Sequence, residues 1–205
     1  MLVSIGLVAA WSQETGRWTA NIGGGMSFPV GQTSDFAHLG GNFVAGGGIR
    51  IVPNQSLLLQ YDAFDLPIND APKQLLAPLD PKSTVYSVTL NYRVEFGTSH
   101  LRPYVIGGGG WYRRSSNLST ASAGAEIACS SALLWLGYAC EAGFADTTAV
   151  VRASTSNVFG YNGGAGVSYP VFRGSTRFFV EARYHSAPHN GVATRSTLLD
   201  FGLSW

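Results

Sequence analysis

The chain has 205 residues with 13 Lys+Arg against 12 Asp+Glu, a formal net charge of +1, which suits one domain and excludes the basic footprint of a nucleic-acid binder. Only 12% of residues are charged, about half the usual share of a soluble domain, while 12% are aromatic and 26 are glycine. Such a balance excludes a disordered chain and suits a sheet whose outer side meets something apolar.

In chain order, the apolar run from Met1 to Trp11, MLVSIGLVAAW, has the hydrophobic core and small-residue end of a secretory signal. Segment 1–15 therefore reads as a signal-like or N-terminal extension. No window holds ~18 consecutive apolar residues, so no transmembrane helix is expected. After residue 16 helical periodicity is nearly absent, and period-two alternation predicts strands instead. The first, 17–28, sets Trp18, Ala20, Ile22, Met26 and Phe28 against Thr19, Asn21, Gly23 and Ser27. The second, 41–52, sets Phe43, Ala45, Ile49 and Ile51 against Asn42, Gly46, Gly48 and Arg50. Pro53-Asn54-Gln55 is a tight turn. The third, 56–64, opposes Leu57, Leu59 and Tyr61 to Ser56, Gln60 and Asp62.

The fourth strand, 86–96, alternates most cleanly: Tyr86, Val88, Leu90, Tyr92, Val94 and Phe96 against Ser87, Thr89, Asn91, Arg93 and Glu95. A GGGG run leaves the facing of the fifth, 101–113, ambiguous. The sixth, 157–169, carries Phe159, Tyr161, Ala165, Val167 and Tyr169 on one side. In the seventh, 177–185, Phe178, Val180, Ala182 and Tyr184 oppose Arg177, Glu181, Arg183 and His185. The eighth, 196–205, opposes Leu199, Phe201, Leu203 and Trp205 to Ser196, Asp200 and Gly202.

Connections after the second, fourth and sixth strands are hairpin-sized, and those after the first, third, fifth and seventh are longer. An up-and-down meander puts these two kinds at opposite ends. Strands of about 9–12 residues match a tilted membrane crossing, and lipid forces the sheet to close. The expected fold is all-β: an eight-stranded antiparallel up-and-down transmembrane-type barrel, residues 16–205, with short turns at one end and long loops at the other.

With the apolar faces outward, the lumen receives Arg50, Asp62, Arg93, Glu95, Arg177, Glu181, Arg183 and Asp200. A balanced set in a narrow bore can pair and hydrogen-bond, as buried charge requires, giving a plugged core. A narrow channel is the alternative. The longest loop, 115–156, holds Cys129 and Cys140, spaced to close a disulfide in an exported protein. Between them Leu133, Leu134, Trp135, Leu136 and Tyr138 form an apolar contact surface. That surface, or the N-terminal segment, could bridge neighbouring barrels.

The final segment, TLLDFGLSW, places Leu199, Phe201 and Leu203 at alternate positions before the terminal aromatic Trp205. It resembles the assembly signal by which outer-membrane barrels are recognised for insertion. Together with VEARYH at 180–185, PYVIGGGGWY at 103–112 and GRWTANIGGG at 16–25, it makes residues 16–205 resemble the small OmpA/OmpX-like barrel family. The resemblance implies an eight-stranded barrel in the bacterial outer membrane, with lipid and the barrel-insertion machinery as partners and both termini in the periplasm. The family has no single shared chemistry, so it implies place and shape more than activity; no cofactor, metal or catalysis is expected, since two cysteines cannot build a zinc site and His185 and His189 have no evident third ligand.

Two rival readings rest on other motifs. RYHSAPHNG at 183–191 is similar to the H-x-S-N region of outer-membrane lipid A deacylases, but Ser186 directly follows His185 and no serine stands two places after His189. Nucleophile and base are therefore not expected to meet. Gly16-Arg17-Trp18 resembles the G-x-W opening of lipocalins, soluble carriers whose inverted faces would place a greasy cavity inside and the charges outside.

Overall fold

A computed structural model describes residues 17–70, 79–97, 100–120, 126–127, 143–144, 150–171, 175–188 and 193–205. The strands are β1 (Trp18–Pro29), β2 (Gly40–Val52), β3 (Gln55–Asp65), β4 (Leu79–Glu95), β5 (Arg102–Thr120), β6 (Glu126–Ile127), β7 (Gly143–Phe144), β8 (Val150–Pro170), β9 (Arg177–Ala187) and β10 (Thr194–Ser204). Eight of them close a barrel in the order β1-β10-β9-β8-β5-β4-β3-β2, every neighbouring pair antiparallel. The two-residue pair β6–β7 stands apart in the longest connection. Closure is completed at the chain's last residue, where the Trp205 and Ala20 backbones exchange hydrogen bonds of 2.9 and 3.3 Å.

Alternation sorts the faces as the periodicity predicts. Trp18 is 71% exposed, Leu59 57%, Leu90 53% and Phe159 76%, whereas Asp62, Arg93, Glu181, Arg183 and Asp200 are all buried. An inside-out, lipocalin-like arrangement is thereby overturned. On β5, Tyr104, Ile106, Tyr112 and Arg114 point inward and Val105 and Trp111 outward, which resolves the facing that the glycine run obscured. The lumen is also less purely polar than expected, since Val44, Leu58, Phe64, Val85, Phe179 and Leu198 are buried in it.

Several boundaries differ from the sequence expectation. β5 runs to Thr120 and β8 begins at Val150, so both strands continue into the stretch 115–156 read as loop. β4 begins at Leu79 rather than 86. Polar, Ser-rich ends pair as well as apolar ones once they leave lipid, so hydropathy alternation underestimates the strands. The connection after β9 spans only 188–193, as long as two of the turns at the other end, 96–101 and 171–176. Segment 1–15, both cysteines and the 133–138 apolar cluster lie outside the described residues.

Glycines on the lumen face make room for rings. A Cβ at Gly166 would lie 2.5 Å from the Tyr104 ring, one at Gly160 2.7 Å from Tyr112, and one at Gly202 2.7 Å from Phe179. These rings take the space that a side chain at each glycine would need. At the loop end the first two long connections join. Ala37 bridges Ile68, the Thr33 hydroxyl accepts the Arg195 N–H at 2.9 Å, and Leu66 is fully buried.

Replacing Gly160 by Val forces its side chain into Tyr112 and the Ser186 carbonyl. The expected cost is about 1–3 kcal/mol in urea unfolding of the detergent-folded barrel. Gly41→Ala, at a position with nothing within 4 Å, should stay within about 0.5 kcal/mol of the parent.

Candidate functional site: the lumen

The lumen is organised around Arg183, which β9 projects inward two residues after Glu181. On a strand, i and i+2 share a face. The Arg183 Nε donates to Glu181 Oε1 at 2.6 Å, and its Nη2 closes on the same oxygen. Nη1 crosses the bore to Gln60 Oε1 on β3 at 2.9 Å. Asn91 on β4 donates to that same Gln60 oxygen at 2.8 Å and to Thr89 Oγ1 at 2.8 Å, and Gln60 Nε2 reaches Asn21 on β1 at 3.4 Å. Four strands are thus tied through a guanidinium that is only 1% exposed.

Two further carboxylates share this field. Asp200 pairs across the sheet with Glu181 and accepts from Asn42 Nδ2 at 2.8 Å. Asp62 accepts from the Ser87 hydroxyl at 3.0 Å, and both acids act electrostatically on Arg183. One guanidinium therefore serves three carboxylates in the middle of the barrel.

Nearer the short turns the balance inverts. Arg93 pairs with Glu95 at 2.9 Å and Arg102 reaches the other Glu95 oxygen at 3.7 Å. Arg93 also stacks on Tyr104, 3.8 Å from the ring centre. Arg177 bonds Ser168 Oγ at 3.0 Å and the His100 carbonyl at 2.8 Å. Arg50 is half-buried on β2, and its charge reaches Arg177 together with those of Arg93, Arg102 and Glu95. Asp62, Arg93, Glu181, Arg183 and Asp200 are buried and Arg50, Glu95 and Arg177 half-buried, and these charges gather by sign rather than pairing one to one.

Above the acidic centre, Tyr112 and His185 Nδ1 are 2.9 Å apart, with the Phe64 ring 5.8 Å from the imidazole. This is a packed aromatic arrangement around the imidazole. Ser186 is buried along with both its neighbours, so simple alternation lapses at that strand end. Among the described residues no group of three or more His, Cys, Asp or Glu could hold a metal.

A search for charge alone passes over Gln60, Asn91, Asn42, Tyr104 and Arg102. The first three share the parity of Asp62, Arg93 and Arg50, so the signal was present in the alternation. Arg102 and Tyr104 were hidden by the glycine run, though opposite parity to Trp111 places them inside. The proposed insertion residues Leu199, Phe201, Leu203 and Trp205 lie on the outer face, with Leu199 and Leu203 opposite Met26 and Ile22 of β1.

A test of the Arg183 node is its removal. Arg183→Met leaves three buried acids without their counter-charge and should cost about 3–5 kcal/mol in urea unfolding. Adding Glu181→Gln should recover part of that loss.

No protein-family model matches the sequence, and no curated protein does. Solved structures do match. Neisserial surface protein A aligns at 14% identity over 91% of this chain and 95% of that one, with a TM-score of 0.57. The attachment invasion locus protein Ail of Yersinia pestis aligns at 13% identity over 93% of this chain and all of that one (TM-score 0.52). A major outer membrane protein from Thermus thermophilus aligns at 10% identity, covering 93% and 99% of the two chains (TM-score 0.50). The chain has the closed eight-stranded fold of small outer-membrane barrels, the fold that its OmpA/OmpX-like motifs imply.

Proposed function

We propose that this chain is a bacterial outer-membrane surface barrel with a plugged polar lumen, and that its role is structural, adhesive or assembly-forming, exercised through its long loops. The observation that carries the reading is the pairing of an apolar exterior with a filled centre. Leu59, Val88, Leu90 and Phe159 are exposed while Arg183, Gln60, Asn91 and Tyr104 are buried at 2% or less. Lipid accepts the first set, and burial of the second supports a filled bore. Short turns face the periplasm and long loops the exterior, where function concentrates on such a scaffold.

The adhesive side of the proposal draws on the fold neighbours. Ail is an attachment invasion locus protein and has been solved with a heparin analogue, sucrose octasulfate. In this chain the contact surface we propose is Leu133, Leu134, Trp135, Leu136 and Tyr138, between Cys129 and Cys140 as an expected disulfide pair, with this segment or the N-terminal segment as the route to self-association. Leu199, Phe201, Leu203 and Trp205 present the chain to the insertion machinery. No catalytic step is assigned to the chain.

Membrane fractionation tests the placement: the chain should travel with outer membranes and shift in gel mobility on heating. In planar bilayers it should give no resolved conductance steps; steady single-channel openings would replace the plugged reading with a narrow channel. Leu90→Arg, on the lipid-facing side, should cost about 2–4 kcal/mol of barrel stability if that position sits near mid-bilayer. Equal stability of that variant would place Leu90 in water.

A further inference from the structure

Among the described residues, the arginines at the turn end of the lumen outnumber the acids they face. Arg93, Arg102 and Arg177 share one carboxylate, that of Glu95, through contacts of 2.9 and 3.7 Å to the first two. Three positive charges against one negative leave an excess of two. The charge of Arg50 adds to the same field. Arg177 is held by a hydroxyl and by backbone carbonyls, which accept hydrogen bonds but bring no negative charge. The Asp62, Glu181 and Asp200 carboxylates, which would balance the excess, are engaged with Arg183, Ser87 and Asn42 farther along the bore.

Like charges brought together in a partly buried mouth repel strongly, because low dielectric amplifies Coulomb energies. Such a cluster is stable when something negative sits among its members. Two donors on these side chains have no partner within the described protein. Arg93 is 6% exposed, yet its Nε has no hydrogen-bond partner, and the Nε of Arg102 is likewise buried and unpartnered. Each guanidinium therefore keeps a donor of its fork in reserve, on side chains fixed by Glu95 and, for Arg93, by the Tyr104 face. Forked guanidinium donors match the oxygens of phosphate-like anions. The innermost arginine is buried and Arg102 is about a third exposed, so the cluster opens toward the aqueous phase at the turn end.

We propose that this mouth is an oxyanion-binding site for a small divalent anion of the phosphate class, taken from the aqueous compartment at the turn end of the barrel. Arg93 and Arg102 grip it, Arg177 and Arg50 supply field, and Glu95 orients the two gripping side chains while competing with the ligand for them. The site is independent of what the long loops bind.

The full chain, folded in zwitterionic detergent without phosphate, is titrated with inorganic phosphate while the arginine Nε–Hε signals are followed by NMR. Saturable movement of the Arg93 and Arg102 signals is expected, with binding weakened at least about tenfold in Arg102→Gln, the loss of one charge-assisted contact. Glu95→Gln separates a ligand site from a merely structural cluster. Removing the competing carboxylate should tighten phosphate binding while heat-modifiable mobility shows the barrel still folded. Linear, unsaturating shifts overturn the proposal, as does Glu95→Gln weakening or leaving unchanged the affinity. Movement of these signals only when an anionic phospholipid is mixed into the micelles also overturns it, since the anion would then come from lipid.

Discussion

Hydrocarbon offers no hydrogen bonds, and every other feature of this barrel follows from that constraint. A backbone crossing lipid must pair all its N–H and C=O groups with itself, which a sheet achieves only by closing. Here the last residue completes the ring: Trp205 and Ala20 exchange backbone bonds, so no strand edge is left open between β1 and β10. Closure with eight strands fixes a narrow bore, and the two-residue period of the strand then divides every segment between lipid and lumen.

A narrow bore makes the lumen a packing problem as well as an electrostatic one. Glycines at 160, 166 and 202 remove side chains from one wall so that Tyr112, Tyr104 and Phe179 can enter from another. Buried polar groups share partners. The Gln60 carbonyl oxygen accepts from both Arg183 and Asn91, an arrangement possible only where both donors are held in place. The charges separate along the bore, with carboxylates gathered on Arg183 and guanidinium groups gathered on Glu95. This axial division makes the turn end the side that attracts anions. At the loop end the Ala37–Ile68 bridge and buried Leu66 knit the first two loops together.

Most of the architecture was legible because alternation is a direct record of which side meets lipid. Leu90 and Arg93 differ by three positions and hence by face, and no tertiary information was needed to separate them. Three things were not legible. Strand ends such as 79–85 on β4 were missed because Pro81 and the polar residues Asp80, Lys82, Ser83 and Thr84 read as a loop. The facing of β5 was masked where four glycines erase the side chains that report parity, although Trp111 just beyond them fixes it. Pairing within the lumen was read as a balanced set, whereas proximity there depends on barrel stagger, which a one-dimensional pattern does not record. Gln60 and Asn91 were passed over because charge was taken as the mark of function, when a neutral amide bridges a buried guanidinium equally well.

The account rests on which methyl groups touch acyl chains. In lipid bilayers doped with a nitroxide-labelled lipid, methyl NMR signals of Leu59, Val88 and Leu90 should broaden, while those of Leu58, Val85 and Leu198, their inward-facing counterparts, stay sharp. Broadening of the second group, with the first left untouched, would contradict the arrangement from its foundation.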